Sequence, residues 1–234
     1  MDSLKEEIVK AMKVQREIYG DELFNEKEDF IIKRKTEVVI ETFQSAKSLE
    51  ELNNMICGCK KCLLGDTRKN FVFGTGNPNA TVLVIGEGPG ADEDEQGIPF
   101  VGRAGKLLTE ILKAIKFERE EVYIANVVKC RPPGNRVPYP EEMDCCMPYL
   151  KKQIELINPK LILCVGLTAA QALLNKKEAL GKMRGQIFEF EGRKAMVTYH
   201  PAALLRNPAW KRGCWEDVQA FRKLYDESIN SSTE

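Results

Sequence analysis

From Thr81 onward the chain alternates continuous apolar runs with amphipathic stretches, and this alternation restricts the fold more than any other feature. Thr81–Ile85 (TVLVI), Val122–Val127 (VYIANV) and Leu161–Val165 (LILCV) are short and rich in β-branched residues. Strands of that kind are buried on both faces. Between them, Ala104–Lys116 carries a helical apolar stripe, Glu141–Ile157 follows Pro140 as a second helix, and Thr168–Leu174 reads as a third. Phe188–Phe190 and Ala195–Tyr199 flank a turn at Glu191-Gly192-Arg193, and a last helix is expected from about Cys214 to Ser228. The pattern predicts an α/β fold: a three-layer α/β/α sandwich around a central, mainly parallel, four-stranded sheet.

The unusual residues stand where each strand ends. The first strand runs into Gly86-Glu87-Gly88-Pro89-Gly90, the second stops at Asn126, the third at Gly166, and the last leads into His200-Pro201. Open α/β sheets bind ligands beyond the carboxyl ends of their strands. Residues far apart in sequence therefore converge on one crevice.

Residues 1–54 are charged, poor in glycine and without proline, and Leu4, Ile8, Met12, Val38, Val39 and Phe43 recur at helical spacing. They predict an N-terminal helical extension, read as a packed appendage or as an arm that docks a protein partner. Residues 55–228 form the main domain and 229–234 a polar tail. Thirty-five basic residues balance 35 acidic ones, so any nucleic-acid binding must come from a local basic patch. No apolar run approaches the roughly 20 residues of a membrane span, and the N-terminus lacks the basic and apolar regions of a secretory signal. A cytoplasmic monomer is expected. Eight cysteines in a reducing compartment point to metal ligation in preference to disulfides.

Cys59 and Cys62 form a C-x2-C pair, Cys130 follows the second strand, and Cys146 lies in the next helix beside Cys145. Four thiolates suit a [4Fe–4S] cluster or a structural zinc, and the spacing alone leaves both open, as it leaves open the choice between Cys145 and Cys146. Cys164 sits within a strand and reads as core; Cys57 and Cys214 read as bystanders.

Four motifs then occur in order, interleaved with these cysteines: GEGPGADED at 86–94, GIPFVGRAG at 97–105, NVVKCRPPGNR at 126–136 and HPAALLRNP at 200–208. Together they resemble the family 4 uracil-DNA glycosylases, the iron–sulfur branch of that superfamily, over roughly residues 55–225. The resemblance implies that Cys59, Cys62, Cys130 and Cys146 ligate a [4Fe–4S] cluster that ties a loop near the DNA to the core. The resemblance favours Cys146 over Cys145, because the family's ligand stands two residues before a proline-tyrosine pair, here Pro148-Tyr149. Gly88 departs from the alanine usual in the family, and Gly90 stands where relatives use a bulky blocker.

The activity implied is removal of uracil from single- or double-stranded DNA, leaving an abasic site. Such an enzyme must flip the nucleotide out of the stack. Phe100 would stack on the base, and the Asn126 amide would match O4 and N3–H. Backbone groups at Gly86, Glu87 and Gly88 would help hold the base. His200, the sole histidine, would donate to O2, where the leaving charge collects. Glu87 and Glu93 are the candidates to position water or oppose the sugar cation. Leu204 and Leu205 stand where a wedge would fill the vacated gap. Arg206, Lys211 and Arg212, with Lys129, Arg131 and Arg136, are the candidates for phosphate contacts. Two other readings compete: a non-catalytic iron–sulfur or zinc nucleic-acid-binding module, which leaves Asn126 and His200 idle, and a nucleotide-binding α/β enzyme, whose glycine loop here lacks the lysine of a P-loop.

Overall fold

A computed structural model of the chain describes residues 43–230. The expected helices before residue 43 and the tail after residue 230 lie outside the described residues. Six strands are present: β1 (Thr75–Gly76), β2 (Val82–Gly86), β3 (Tyr123–Asn126), β4 (Leu161–Val165), β5 (Ile187–Phe190) and β6 (Arg193–Thr198). Nine α-helices are found among the described residues: α1 (Leu49–Ile56), α2 (Leu64–Thr67), α3 (Ala91–Gln96), α4 (Arg103–Ala114), α5 (Pro140–Ile157), α6 (Leu167–Leu174), α7 (Leu180–Met183), α8 (Pro201–Arg206) and α9 (Lys211–Asn230).

The sheet order is β1-β3-β2-β4-β6-β5. The inner four strands are parallel, as the alternation of strand and helix requires. The expected count of four is corrected to six, because β1 and β5 pair antiparallel on the two edges. The two residues of β1 are too few to leave a periodic signal. In β5 exposed and half-buried positions alternate, as suits an edge strand with one covered face.

Alternate residues of the central strands feed two cores. Leu83, Ile85, Ala125, Ile162, Cys164 and Val197 pack on Leu150 and Ile154 of α5 and on Ala169, Ala170 and Leu173 of α6. Val82, Val84, Ile124, Leu163, Val165 and Met196 face Leu108 and Leu112 of α4 and Val218, Phe221 and Leu224 of α9. Each of the larger side chains contributes about 1.5–3 kcal/mol by leaving water, and covering both faces makes the three layers. A third cluster joins Leu52 and Ile56 of α1 to Phe43, Phe73 and Tyr149. The boundary expected at residue 54 falls inside α1.

Pairing aligns the strand ends. Gly86 is the register partner of Asn126, and Val165 that of Thr198, two residues before His200. The four carboxyl ends therefore open on one rim.

Candidate active site

Asn126 closes β3 with its side chain buried, and its Oδ1 has no hydrogen-bond partner. A buried carbonyl oxygen without a donor is costly, so this atom marks where a ligand N–H belongs. Gly86 makes room for it. A Cβ there would stand 2.5 Å from Asn126 Oδ1 and 2.5 Å from the Phe100 ring.

Phe100 is buried and takes a left-handed backbone, φ 53°, a strained choice for a bulky residue that must be held from outside. The first turn of α4 holds it, since a Cβ on Gly105 would fall 1.9 Å from the Phe100 carbonyl oxygen. Arg119 Nη2 donates to the Pro99 carbonyl at 2.6 Å, on the other side. The Phe100 and His200 rings lie with centroids 5.6 Å apart.

His200 is the N-cap of α8. Its Nδ1 accepts the Ala202 main-chain N–H at 3.1 Å, which places the proton of the neutral ring on Nε2. Burial, and after it the Arg206 charge, push its pKa from 6.5 down to about 4, against the opposing pull of Glu93. The ring is thus a neutral donor at pH 7.

The two carboxylates differ. Glu87 Oε2 accepts from the Thr168 hydroxyl at 2.5 Å. Glu93 is consumed by the backbone: Oε2 accepts Gly90 N–H at 3.0 Å, and Oε1 accepts Val101 and Gly102 N–H, each at 2.9 Å. It ties the glycine loop and the start of α3 to the loop that carries Phe100. Glu87, Gly88, Glu93, Phe100, His200 and Arg206 all line one cavity of about 530 Å³. Another groove, of about 560 Å³ and including Lys151, Lys152 and Arg193, contains none of these strand-end residues.

Two expectations at the rim, Leu204 as a wedge and Lys129 as a phosphate contact, are corrected. Leu204 is buried in the core against α4 and α9, because a helix one and a half turns long turns it inward; Leu205, 39% exposed, is the member of the pair that faces solvent. Lys129 is fully buried, so it reaches no phosphate. Arg136 is paired bidentately with Glu142, at 2.8 and 2.7 Å, and lies 3.8 Å above the Tyr139 ring. That pairing holds the Glu142 carboxyl below its ordinary range, and Arg136, part-exposed, stays in the cavity wall. Arg131 donates to Asn135 Oδ1 at 2.8 Å, Arg206 stands in the cavity wall, and the Arg212 side chain is 91% exposed.

Cys130 and Cys146 are buried, Cys59 and Cys62 half-buried, and all are free thiols. Burial pushes the Cys146 thiol up to about 12, with Cys130 and Cys62 adding to the rise; Cys130 is raised by burial and by Cys62 and Cys59. Cys62 is raised by burial and, after it, by Cys145 and Cys59, so Cys145 stands near the same all-thiol group. Among the described residues, no three His, Cys, Asp or Glu side chains are drawn together tightly enough to hold a metal ion. Cys164 and Cys214 lie in the two cores and Cys57 is exposed.

Several partners left no signal in sequence. Arg68 Nη1 donates to Cys130 Sγ at 2.9 Å and to the Cys59 carbonyl at 2.8 Å, and Tyr149 Oη donates to Cys59 Sγ at 3.4 Å. Arg68 lies outside the four motifs, and Thr168 is a plain first-turn residue of α6.

Comparison with known proteins follows the same lines. Residues 73–224 match the model of the uracil DNA glycosylase superfamily. The chain is 47% identical over 186 residues to the Type-4 uracil-DNA glycosylase of Archaeoglobus fulgidus, an alignment covering 76% of this chain and 94% of that protein. It is 47% identical over 180 residues to that of Thermotoga maritima, covering 75% and 94%. Likeness to the Type-5 uracil-DNA glycosylase of Pyrobaculum aerophilum is thinner, 30% over 146 residues, covering 55% and 64%. No described helix is long and apolar enough to cross a membrane. With near full-length likeness to the Type-4 proteins and a shorter match to Type-5, the chain belongs to family 4 of the uracil-DNA glycosylase superfamily.

Proposed function

We propose that this protein flips uracil out of DNA and hydrolyses its N-glycosidic bond, leaving an abasic site. The observation that carries the reading is the orphaned Asn126 Oδ1, which shares the space over Gly86 with the Phe100 ring, beside a cavity lined by Phe100 and by the neutral imidazole donor His200. Uracil has a donor at N3 for that oxygen and an acceptor at O4 for the amide nitrogen.

Phe100 offers its ring to the flipped base, with Gly86 keeping the approach open. As the bond from C1′ to N1 breaks, its electron pair passes to the base and collects on O2. His200 Nε2–H donates there, an oxyanion-type contribution of typically about 3 kcal/mol. Water adds to C1′, and the proton it gives up passes through solvent to the departed base anion, leaving a sugar hydroxyl and neutral uracil. Glu87, steered by Thr168, is the carboxylate placed to orient that water and face the positive sugar. Glu93 acts at one remove, as the clamp that positions the Phe100 loop. Leu205 would enter the gap in the duplex, and Arg206, Arg131 and Arg212 would meet phosphates.

Cys59, Cys62, Cys130 and Cys146 would hold a [4Fe–4S] cluster. Support comes from the all-sulfur donor set and the mutual influence of the thiols. A single tetrahedral zinc would need sulfurs only about 3.8 Å apart, given its short bonds; a cubane accepts a wider cage. When bound, the cluster supplies a covalent tie between the segment after β3, α5 and the 59–62 loop.

The test is incubation with DNA carrying one uracil or only normal bases. Free uracil and an abasic site are expected from the first alone. Binding without base release would leave the non-catalytic module as the reading.

A further inference from the structure

Lys129 is fully buried, and no part of the reaction above uses it. Its Nζ donates to the Asn126 main-chain carbonyl at 2.8 Å and to Gln153 Oε1 at 2.5 Å. Gln153 is itself buried and anchored, its Nε2 donating to the Phe73 carbonyl at 2.9 Å. Neither hydrogen-bond partner of Lys129 is charged; burial lowers its pKa to about 7, and only the neighbouring Cys146 and Cys130 sulfurs favour its charged form. A buried ammonium is strongly disfavoured unless well bonded, and an apolar side chain of the same length would pack there more cheaply. A lysine at this place therefore calls for a role beyond packing.

Its contacts say which. The Asn126 Oδ1 has no partner of its own, so the amide is not locked by a local hydrogen bond. Its direction must be set by packing and by the backbone that carries it. That backbone is held on one side by β2, through Val127 N–H to the Gly86 carbonyl at 2.9 Å and Val128 N–H to the Glu87 carbonyl at 3.1 Å. On the other side Lys129 closes back on the Asn126 carbonyl. An amide turned over would present its donor where its acceptor belongs and would favour cytosine over uracil, so this lock bears on the choice of base.

We propose that Lys129 is a positioning residue for base selection: by clamping the Asn126 carbonyl to Gln153, it sets the direction of the Asn126 amide and hence the discrimination at the 4-position of the base. This rests on the reading of Asn126 as the group that faces O4 and N3.

The experiment is single-turnover base release from single-stranded DNA carrying uracil, 4-thiouracil or 2-thiouracil, by the wild type and by Lys129→Met. Sulfur at position 4 alters the atom Asn126 reads; sulfur at position 2 alters the atom His200 faces. The preference for uracil over 4-thiouracil should shrink about tenfold in Lys129→Met, the weight of one well-directed hydrogen bond. The preference over 2-thiouracil should not change. Gln153→Leu keeps the lysine and removes its anchor, and should move the first ratio in the same direction by a smaller factor. It also serves if Lys129→Met does not accumulate. A ratio is insensitive to the folded fraction, so general destabilisation does not imitate the effect. An unchanged first ratio in either folded variant overturns the proposal. So does an equal shift in both ratios, or failure of both variants to fold, because each marks Lys129 as structural. A wild type that releases no uracil overturns the functional reading itself, and with it this inference.

Discussion

His200 Nδ1 accepts the Ala202 main-chain N–H at 3.1 Å, so one interaction both caps α8 and fixes the ring's tautomer. With burial and Arg206 lowering its pKa to about 4, His200 should be neutral and Nε2-protonated throughout the physiological range. Imidazole ¹⁵N shifts recorded against pH should show a titration near 4 and none near 6.5. The sign for stability follows. The unfolded chain takes up a proton near 6.5 that the folded chain refuses until about 4, so stability declines as pH falls through that window. A ring titrating near 6.5 would mean that it is open to water and not held as described.

His200→Ala should lower the single-turnover rate of uracil release by roughly 10²–10³, the loss expected on removing one oxyanion donor. The N-cap goes with it, at about 1 kcal/mol, so the variant should still fold. Near-wild-type kinetics in the folded variant would reduce His200 to a helix cap.

Glu93→Gln separates clamping from chemistry. The carboxylate accepts three backbone N–H groups, and an amide can replace only part of that. Denaturant unfolding should show a loss of about 1–3 kcal/mol, with uracil release falling because the Phe100 loop loosens. Full stability with abolished turnover would instead make Glu93 the group that handles water.

Anaerobically purified protein should be brown and contain roughly four irons per chain. Cys130→Ser should lose both colour and iron, because Cys130 is buried where the 59–62 loop and α5 meet it. A colourless, active protein with one zinc would contradict the cluster.

The parallel core was legible because its strands are continuous apolar runs, and Leu161–Val165 begins and ends where the run does. The strand-end rule places Gly86, Asn126 and His200 at one rim, from sequence order alone. What escaped depends on contacts at long range. Two-residue β1 has no period to read. Leu204 and Leu205 are equivalent in a motif, and only the packing of α8 against α4 and α9 separates them. Lys129 and Arg136 looked like free surface charge because they sit in a basic loop; the partners that engage them, Gln153 beside the buried Lys129 and Glu142 beside the part-exposed Arg136, lie in α5. Glu93 stood in an acidic run, and nothing in that run announces three main-chain donors.

The central claim is that Asn126 reads the base in this pocket. Cytosine offers a donor amine at C4 and a bare acceptor at N3, so it would meet the Asn126 amide donor to donor and acceptor to acceptor. Each unsatisfied buried group costs about 1–3 kcal/mol, and two such groups protect cytosine by orders of magnitude. The direct measurement is single-turnover release of uracil and of cytosine from single-stranded DNA, which removes differences in base pairing. The wild type should release uracil and leave cytosine. Asn126→Asp, whose carboxylate cannot donate to O4, should lose uracil release and gain at most a trace of cytosine release. Undiminished uracil release by Asn126→Asp would contradict the account.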